Sequence, residues 1–530
     1  MKPRKKGPSG RKQAMSDGKA EPGTFFGWLG ANARLRPEKT AIRSLDQSME
    51  ISHGELFRMV CRVGRFYEAH GIGRNDRVAL LSNNSVEHLI VYLGSLAYGC
   101  TICTIHVEMN ASYFEDILTA VNAKLVLCED GQPQIERLAG RVPGAWKRLG
   151  TWTPDGGDGF FAEIAKCDDT PGDWPVCDRK DDASIFYTSG TGAKPKGVVC
   201  SVAELYDNTL PIADAFGMTE NDRMLDYRSM NWMSAQVLSA LGTVAKGATL
   251  LLARKFSASR FFDWINDNGA TIAAGNPTVI NMLVNREGGR GKSAAPTLRF
   301  VTSSSAPLLV SEWQRFEETF GIRVCQGYGT SESGWIAGSR EDQRKLGSVG
   351  RPLAYQQVRI VDKDGRPQPP DVIGAIQLNG NPAGVYRYLA DDGSIRVNSE
   401  LSTLTGDLGF IDREGYLFVT GREKDLIIRG GVNISPIEID NVVLQLPEVA
   451  DVATVGVPDP VYGEQVVVYV ALRDGAATDA EAVTAHCARH LAPFKLPKEV
   501  IFRTALPKTE RGKMDRNALA AEWRAAHAPA

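Results

Sequence analysis

Histidine is scarce in this chain. Seven occur among 530 residues, and none lies between His106 and His486. That gap excludes histidine-based acid–base or zinc chemistry from the core of the chain. An excess of either charge is missing too. Sixty-one basic and 63 acidic residues give a formal net charge of -2, so nothing drives the whole chain toward nucleic acid or an anionic membrane. Nine cysteines form an odd set without paired spacing, except Cys100 and Cys103 in the strand-like run "CTICTI". Reduced thiols and a cytoplasmic location are expected. Long apolar runs are absent apart from residues 89–107, which are broken by Gly94, Ser95, Gly99, Thr101 and Thr104. Their spacing changes from helical to strand-like near Gly99, which predicts a buried helix–strand unit and no membrane span. No internal repeat and no apolar signal-peptide core occur. Residues 1–22 are basic and rich in Gly, Pro and Ser, as in a disordered tail.

What remains is an ordinary globular composition, 43% hydrophobic and 23% charged. At this length two or more domains are required. From residue 23 the pattern alternates. "DRVALLSNN" reads as strand and turn, "SVEHLIVYLGSLAYG" as helix, and "CTICTIH" and "AKLVLCED" as strands. That rhythm predicts α/β layers with a mainly parallel sheet. A shift comes at "GREKDLIIRGG", residues 421–431. Beyond it "ISPIEIDNVVLQL" reads as helix, and "VADVATVGV" and "EQVVVYVAL" as strands. We expect an N-terminal domain over 23–423 and a small α+β domain over 424–530.

One loop stands out. "IFYTSGTGAKPKGVV", residues 185–199, is crowded with glycines, hydroxyls and lysines. With "ASIFYT" as a strand before it and "SVAELYDNTL" as a helix after it, the segment predicts an anion-binding strand–loop–helix. It is not a Walker A loop, since Val198 follows Gly197. "REGGRGKS" ends in Gly-Lys-Ser but carries Arg286 where that motif needs glycine, and reads as a loop between units. Four further stretches carry chemistry: "GYGTSES" on an expected loop, "LTGDLGF" with Asp407 between glycines, "GREKD" with Arg422 at the domain boundary, and "PKTERGKMDR" with Lys513. Each alone has a structural explanation in a turn, a solvated arginine or a basic tail.

All five in this order resemble the adenylate-forming superfamily of acyl- and aryl-CoA synthetases, luciferases and peptide-synthetase adenylation domains. The resemblance spans about residues 23–520. It is strongest to free-standing acyl-CoA synthetases, with some likeness to the branch activating crotonobetaine and carnitine. It implies a large N-terminal domain of helix-flanked sheets with a small β-barrel, and a mobile C-terminal lid hinged at Lys424. The family loop usually reads Thr-Ser-Gly-Thr-Thr-Gly. Here Gly192 and Ala193 end it, so Gly192 acts through its backbone. Ser331 stands where many members have threonine, and "YRSMNWMSAQ" lacks a histidine that many carry.

The resemblance implies ATP- and Mg²⁺-dependent conversion of a carboxylic acid to an acyl-adenylate, then transfer to coenzyme A. Developing charge on phosphate oxygens calls for cations and fixed donors. By resemblance, Thr188, Ser189, Gly190, Thr191, Gly192 and Lys196 cradle phosphates, with Thr188 among the catalytic set. Glu332 holds Mg²⁺, which suits one carboxylate plus phosphates. Tyr328 stacks on adenine beside Ser305 and Ala306, within the Gly327, Gly329, Thr330 and Ser331 segment. Asp407 accepts from the ribose hydroxyls, supported by Arg422. Lys513 bridges the substrate carboxylate and the α-phosphate. Gly430 and Gly431 line a pantetheine tunnel after the lid rotates.

The expected acid-binding residues are Asn231, Trp232, Ser234, Asn276, Ser303 and Gly327. Trp232 and Trp335 shorten that pocket, face a cationic head group or pack as plain core, and a small or medium acid is favoured. The expected partners are the acid, ATP and CoA, with no nucleic acid, in a monomer or homodimer. Delivery to a carrier protein, and a phosphate-loop kinase or nucleotide-binding module, are the alternatives.

Overall fold

The computed structural model describes residues 24–174, 177–188, 195–379, 386–397, 402–509 and 513–527. Two large sheets dominate the N-terminal part. One runs in the order Arg351–Pro352, Gly334–Gly338, Arg323–Thr330, Phe300–Ser303, Ile272–Ala273, Arg223–Asp226, Thr249–Leu252, Thr40–Ser44, Met49–Ser52. Its interior pairs are parallel and its edges antiparallel. The other runs Ile395–Val397, Arg387–Leu389, Lys196–Ser201, Asp182–Thr188, Thr101–Ile105, Arg77–Leu81, Leu125–Cys128, Ala145–Arg148.

The apolar stretch at 89–107 joins these sheets. Helix Val86–Tyr98 is buried along its whole length, capped by Ser85 and closed by Gly99 at φ 98°. One core cluster unites its Leu89, Ile90 and Leu93 with Val78 and Leu80 of one sheet and Ile42, Leu250 and Leu252 of the other. Strand Thr101–Ile105 then completes the expected helix–strand unit. A helix buried on every face needs apolar residues all round, which is why the segment mimics a membrane span. No helix among the described residues is long and apolar enough to cross a membrane.

A four-stranded antiparallel sheet, Val358–Val361, Gly374–Asn379, Ser402–Ile411, Leu417–Arg422, stands where a small barrel was expected. After Arg422 comes a separate C-terminal sheet. Its long hairpin Val449–Asp459/Gly463–Leu472 carries Glu499–Arg503 in parallel on the second strand. Alternation decides its two faces. Val466, Val468 and Val470 face one cluster with helices Pro436–Val443 and Ala480–His490, while Val467, Tyr469 and Ala471 face another with Leu519.

Two local expectations are corrected. The Gly-rich loop does not lead from strand to helix. It connects two antiparallel strands, Asp182–Thr188 and Lys196–Ser201, and helix Val202–Ala215 starts only after the second. That helix is closed by a capping box in which Ser201 and Glu204 satisfy each other's backbone donors. The first-turn donors of that helix are therefore already satisfied by Ser201 and Glu204. The second correction concerns "GYGTSES". Gly327, Tyr328, Gly329 and Thr330 end strand Arg323–Thr330, paired antiparallel with Gly334–Gly338, and only Ser331, Glu332 and Ser333 form the turn. Alternation of small and large residues hid this strand, since two glycines on it face close neighbours. A Cβ on Gly327 would lie 2.6 Å from the Trp335 ring.

Candidate active site

The parallel strands of the nine-stranded sheet end along one rim, the usual place for ligands in open α/β sheets. Phe300–Ser303 and Arg323–Thr330 run side by side, with Ser303 opposite Gln326. The antiparallel sheet meets this rim through Tyr328, whose hydroxyl donates to Asp407 Oδ2 at 2.5 Å. Arg422 Nε donates to the other carboxylate oxygen at 3.2 Å. Asp407 and Arg422 are direct cross-strand partners. Asp407 is only 6% exposed. Burial, then the Asp407 charge, pushes the Tyr328 phenol well up, so it remains a donor. Three motifs far apart in sequence thus converge on one carboxylate.

Glu332 sits half-buried in the turn beyond Tyr328. Thr330 Oγ1 accepts from the Ser333 backbone at 3.0 Å and donates to Ser333 Oγ at 3.2 Å, which fixes the turn. Ser333 Oγ also bonds the Tyr386 hydroxyl at 2.9 Å. Burial, aided by the Glu332 and Asp407 charges, pushes Tyr386 up to about 12. Burial and the Glu332 charge push Tyr388 up as well. Lys196 Nζ lies 5.9 Å from the Tyr388 ring centroid. Tyr388 therefore lies near Lys196 and within the field of Glu332. Sequence reasoning missed Tyr386 and Tyr388, because "YRY" carries no local signal beyond strand alternation. It also missed Asn208, buried at 1%, whose side chain donates to Trp335 O at 3.1 Å and accepts from Trp335 N at 3.0 Å.

Other expected residues are placed as follows. Ser189, Gly190, Thr191 and Gly192 lie outside the described residues, and Thr188 ends its strand opposite Lys196. Ser305 holds φ 74°, a left-handed conformation unusual for a side-chain-bearing residue, and is exposed beside half-buried Ala306. Asn231 is 3% exposed, and its Nδ2 donates to Ser82 O at 2.9 Å. Trp232 and Ser234 are half-buried at the start of a helical segment that continues as a π-helix, Gln236–Leu241. Asn276 Oδ1 accepts from Val279 N at 2.9 Å and caps helix Pro277–Glu287, so its carbonyl oxygen serves the fold. Trp335 is buried, edge-on to Phe216 at 5.9 Å.

The C-terminal candidates lie apart from these. Lys424 is exposed on the turn Glu423–Asp425, directly after Arg422. Gly430 and Gly431 hold φ 58° and 80°, and both are exposed. Lys513 is half-buried, with its backbone held to Thr509.

No cluster of three or more His, Cys, Asp or Glu that could hold a metal occurs among the described residues. A hard divalent ion at Glu332 would need phosphate oxygens to complete its shell. A single half-buried carboxylate fits that demand.

Known proteins share this architecture and order. Residues 29–387 match the family described as AMP-binding enzyme, and residues 438–513 match the AMP-binding enzyme C-terminal domain. The chain is 32% identical over 498 residues to a sulfoacetate–CoA ligase of Cupriavidus necator, covering 93% of this chain and 96% of the other. It is 31% identical over 509 residues to an oxalate–CoA ligase of Arabidopsis thaliana, covering 94% and 98%. The ATP-bound structure of MatB from Rhodopseudomonas palustris superimposes with a TM-score of 0.83 at 28% identity, covering 94% of this chain and 99% of that one. The chain belongs to the AMP-binding enzyme family.

Proposed function

We propose that this protein is an AMP-forming acid–CoA ligase. The observation that carries the reading is the convergence of Tyr328, Asp407 and Arg422. Each Asp407 oxygen accepts one bond from protein and keeps a lone pair for a ribose hydroxyl. Arg422 holds the carboxylate in orientation through its Nε bond. The Tyr328 ring offers its face to adenine while its hydroxyl is tied down.

In the first step a carboxylate oxygen of the acid attacks the α-phosphorus of ATP, and pyrophosphate leaves. Lys196 and the backbone of the Gly-rich loop bind the departing phosphates. Glu332 would hold Mg²⁺, which shields phosphate charge. Lys513 spans the acid carboxylate and the α-phosphate. In the second step the CoA sulfur attacks the adenylate carbonyl carbon, AMP leaves, and the thiol proton passes to solvent. Lys424 is the hinge about which the C-terminal domain turns between steps. The sulfoacetate and oxalate ligases favour CoA as the acceptor. Nine free cysteines suit a reducing cytoplasm.

The test is incubation with ATP, Mg²⁺, CoA and a panel of acids, with the nucleotides identified. AMP, pyrophosphate and a CoA-dependent thioester are expected. ADP formation would replace this reading with a kinase. Adenylate that accumulates without thioester in the presence of CoA would point to a carrier protein.

A further inference from the structure

The rim of the nine-stranded sheet carries more than the nucleotide residues. Fifteen buried side-chain N or O atoms lack a partner among the described residues. Six of them belong to Arg228, Asn231, Gln236, Ser303, Ser304 and Trp335, all within two segments and one strand at this rim. Every one of these residues is at least nine-tenths buried.

Topology brings them together. Strands Arg223–Asp226, Ile272–Ala273, Phe300–Ser303 and Arg323–Thr330 are successive parallel neighbours. The Tyr227 hydroxyl donates to Ala274 O just past two of these ends, and Gly275 N donates to Thr302 Oγ1 at 3.3 Å. The rim therefore runs without a break from Arg228 through Ser303 to Gly327. Trp335 packs directly behind Gly327 and against Phe216, closing that end.

Chemistry narrows the ligand. Arg228 binds Asp226 through Nε and Nη2, at 3.1 and 2.7 Å. Ser239 Oγ donates to the same carboxylate at 2.5 Å. Asp226 thus occupies one edge of the guanidinium, and Nη1 is on the other. The Asn231 and Gln236 nitrogens are already spent on Ser82 O and on Met230 O and Thr104 Oγ1. The unmatched donors are Arg228 Nη1, two serine hydroxyls and the Trp335 indole N–H, against two amide carbonyls. Buried donors in excess favour an acceptor, and anionic oxygens make the strongest such bonds. An apolar tail would leave all six atoms unpaired. The π-helix carrying Gln236 and Ser239 is a distortion found often at functional sites.

We propose that this rim receives a short carboxylic acid bearing a second oxyanion. Arg228 and the Ser303–Ser304 hydroxyls donate to the substrate oxygens, and Trp335 sets the length limit behind Gly327. This inference rests on the adenylation reading and names the substrate class for it.

The test compares acid-dependent pyrophosphate release from the wild-type protein with malonate and succinate against propionate, butyrate and octanoate. The dicarboxylates should exceed their chain-matched monocarboxylates in kcat/KM by tenfold or more, with octanoate inert. In Arg228→Gln that ratio should fall toward one. In Trp335→Ala octanoate turnover should appear. Both variants alter buried residues and are checked by melting temperature, and the wild-type profile decides even if neither folds. Butyrate or octanoate matching the dicarboxylates in the wild type overturns the proposal while leaving adenylation standing. Pyrophosphate release with none of the acids overturns both.

Discussion

Asp407 shows how much one side chain depends on its surroundings. Flanked by Gly406 and Leu408 in the sequence, it looks like a turn residue. In the structure it lies within strand Ser402–Ile411, held by Tyr328 and Arg422. Asp407→Asn keeps the shape and removes the charge. A lost charge-assisted hydrogen bond is worth roughly 10- to 100-fold. The KM for ATP should rise by about that factor, with a smaller change in kcat. Initial rates of pyrophosphate release against ATP concentration check this, and an unchanged KM would take Asp407 out of the ribose site. Lys513 is the second residue at this scale. Lys513→Ala should slow adenylate formation by roughly 10²–10³-fold, the scale of one transition-state donor. Thioester formation from chemically supplied acyl-adenylate should survive. Equal losses in both half-reactions would make Lys513 structural.

Among the elements, helix Val310–Phe320 has an unusual position. Its start touches the C-terminal domain: Leu309 packs on that domain's core, and Val310 N donates to Asn441 Oδ1 at 3.3 Å. Nearby, Arg473 Nη1 donates to Asn285 Oδ1 at 3.1 Å across the same boundary. Glu312, in the first turn, bonds the Asn281 amide. Its carboxyl is raised from 4.5 to about 7, mainly by burial and also by the Asp451 charge, against the Asn281 bond and the Lys508 charge. Separation of the domains would return it toward 4.5. The docked state then binds the proton more tightly, so docking gains stability as pH falls and loses it as pH rises from about 4.5 through 7. Proteolysis of the exposed turn at Lys424 should accelerate between pH 6 and pH 8. Glu312→Gln should flatten that dependence, and an identical pH profile in the variant would remove Glu312 from control of docking. The same scale explains the misread Gly-rich loop. Strand Lys196–Ser201 has only six residues and merges in pattern with the helix that follows. Its strand character comes from pairing with Asp182–Thr188 on one side and Arg387–Leu389 on the other, information that no local window contains.

At the scale of the whole molecule, the C-terminal domain presents an uncovered face. Ile428, Val432, Val461, Tyr462 and Phe494 are all exposed around the Gly430–Gly431 turn, with Arg429 over the Tyr462 ring. An apolar face near the proposed hinge would suit docking elsewhere if the domain rotates. Gly431→Leu should spare acid-dependent pyrophosphate release in a single turnover and lose acyl-CoA. No atom lies within 4 Å of a Cβ there, but φ of 80° adds strain of about 1 kcal/mol. A parallel fall of both half-reactions with the melting temperature would reduce the effect to folding, and acyl-CoA at the wild-type rate would remove the turn from the CoA path. The amino-acid sequence by itself determined the α/β rhythm and the order of motifs that places the chain in its family. These are short-range properties: side-chain periodicity and glycine spacing act over a few residues. Only the tertiary structure decided that Tyr328 meets Asp407, 79 positions away, that Tyr386 meets Ser333 beside Glu332, and that Trp335 closes the space behind Gly327. Those facts depend on which strands pair and which sheets pack. That choice is made by the burial of the whole core, and a side chain's neighbours across it leave no mark on the residues beside it in the chain.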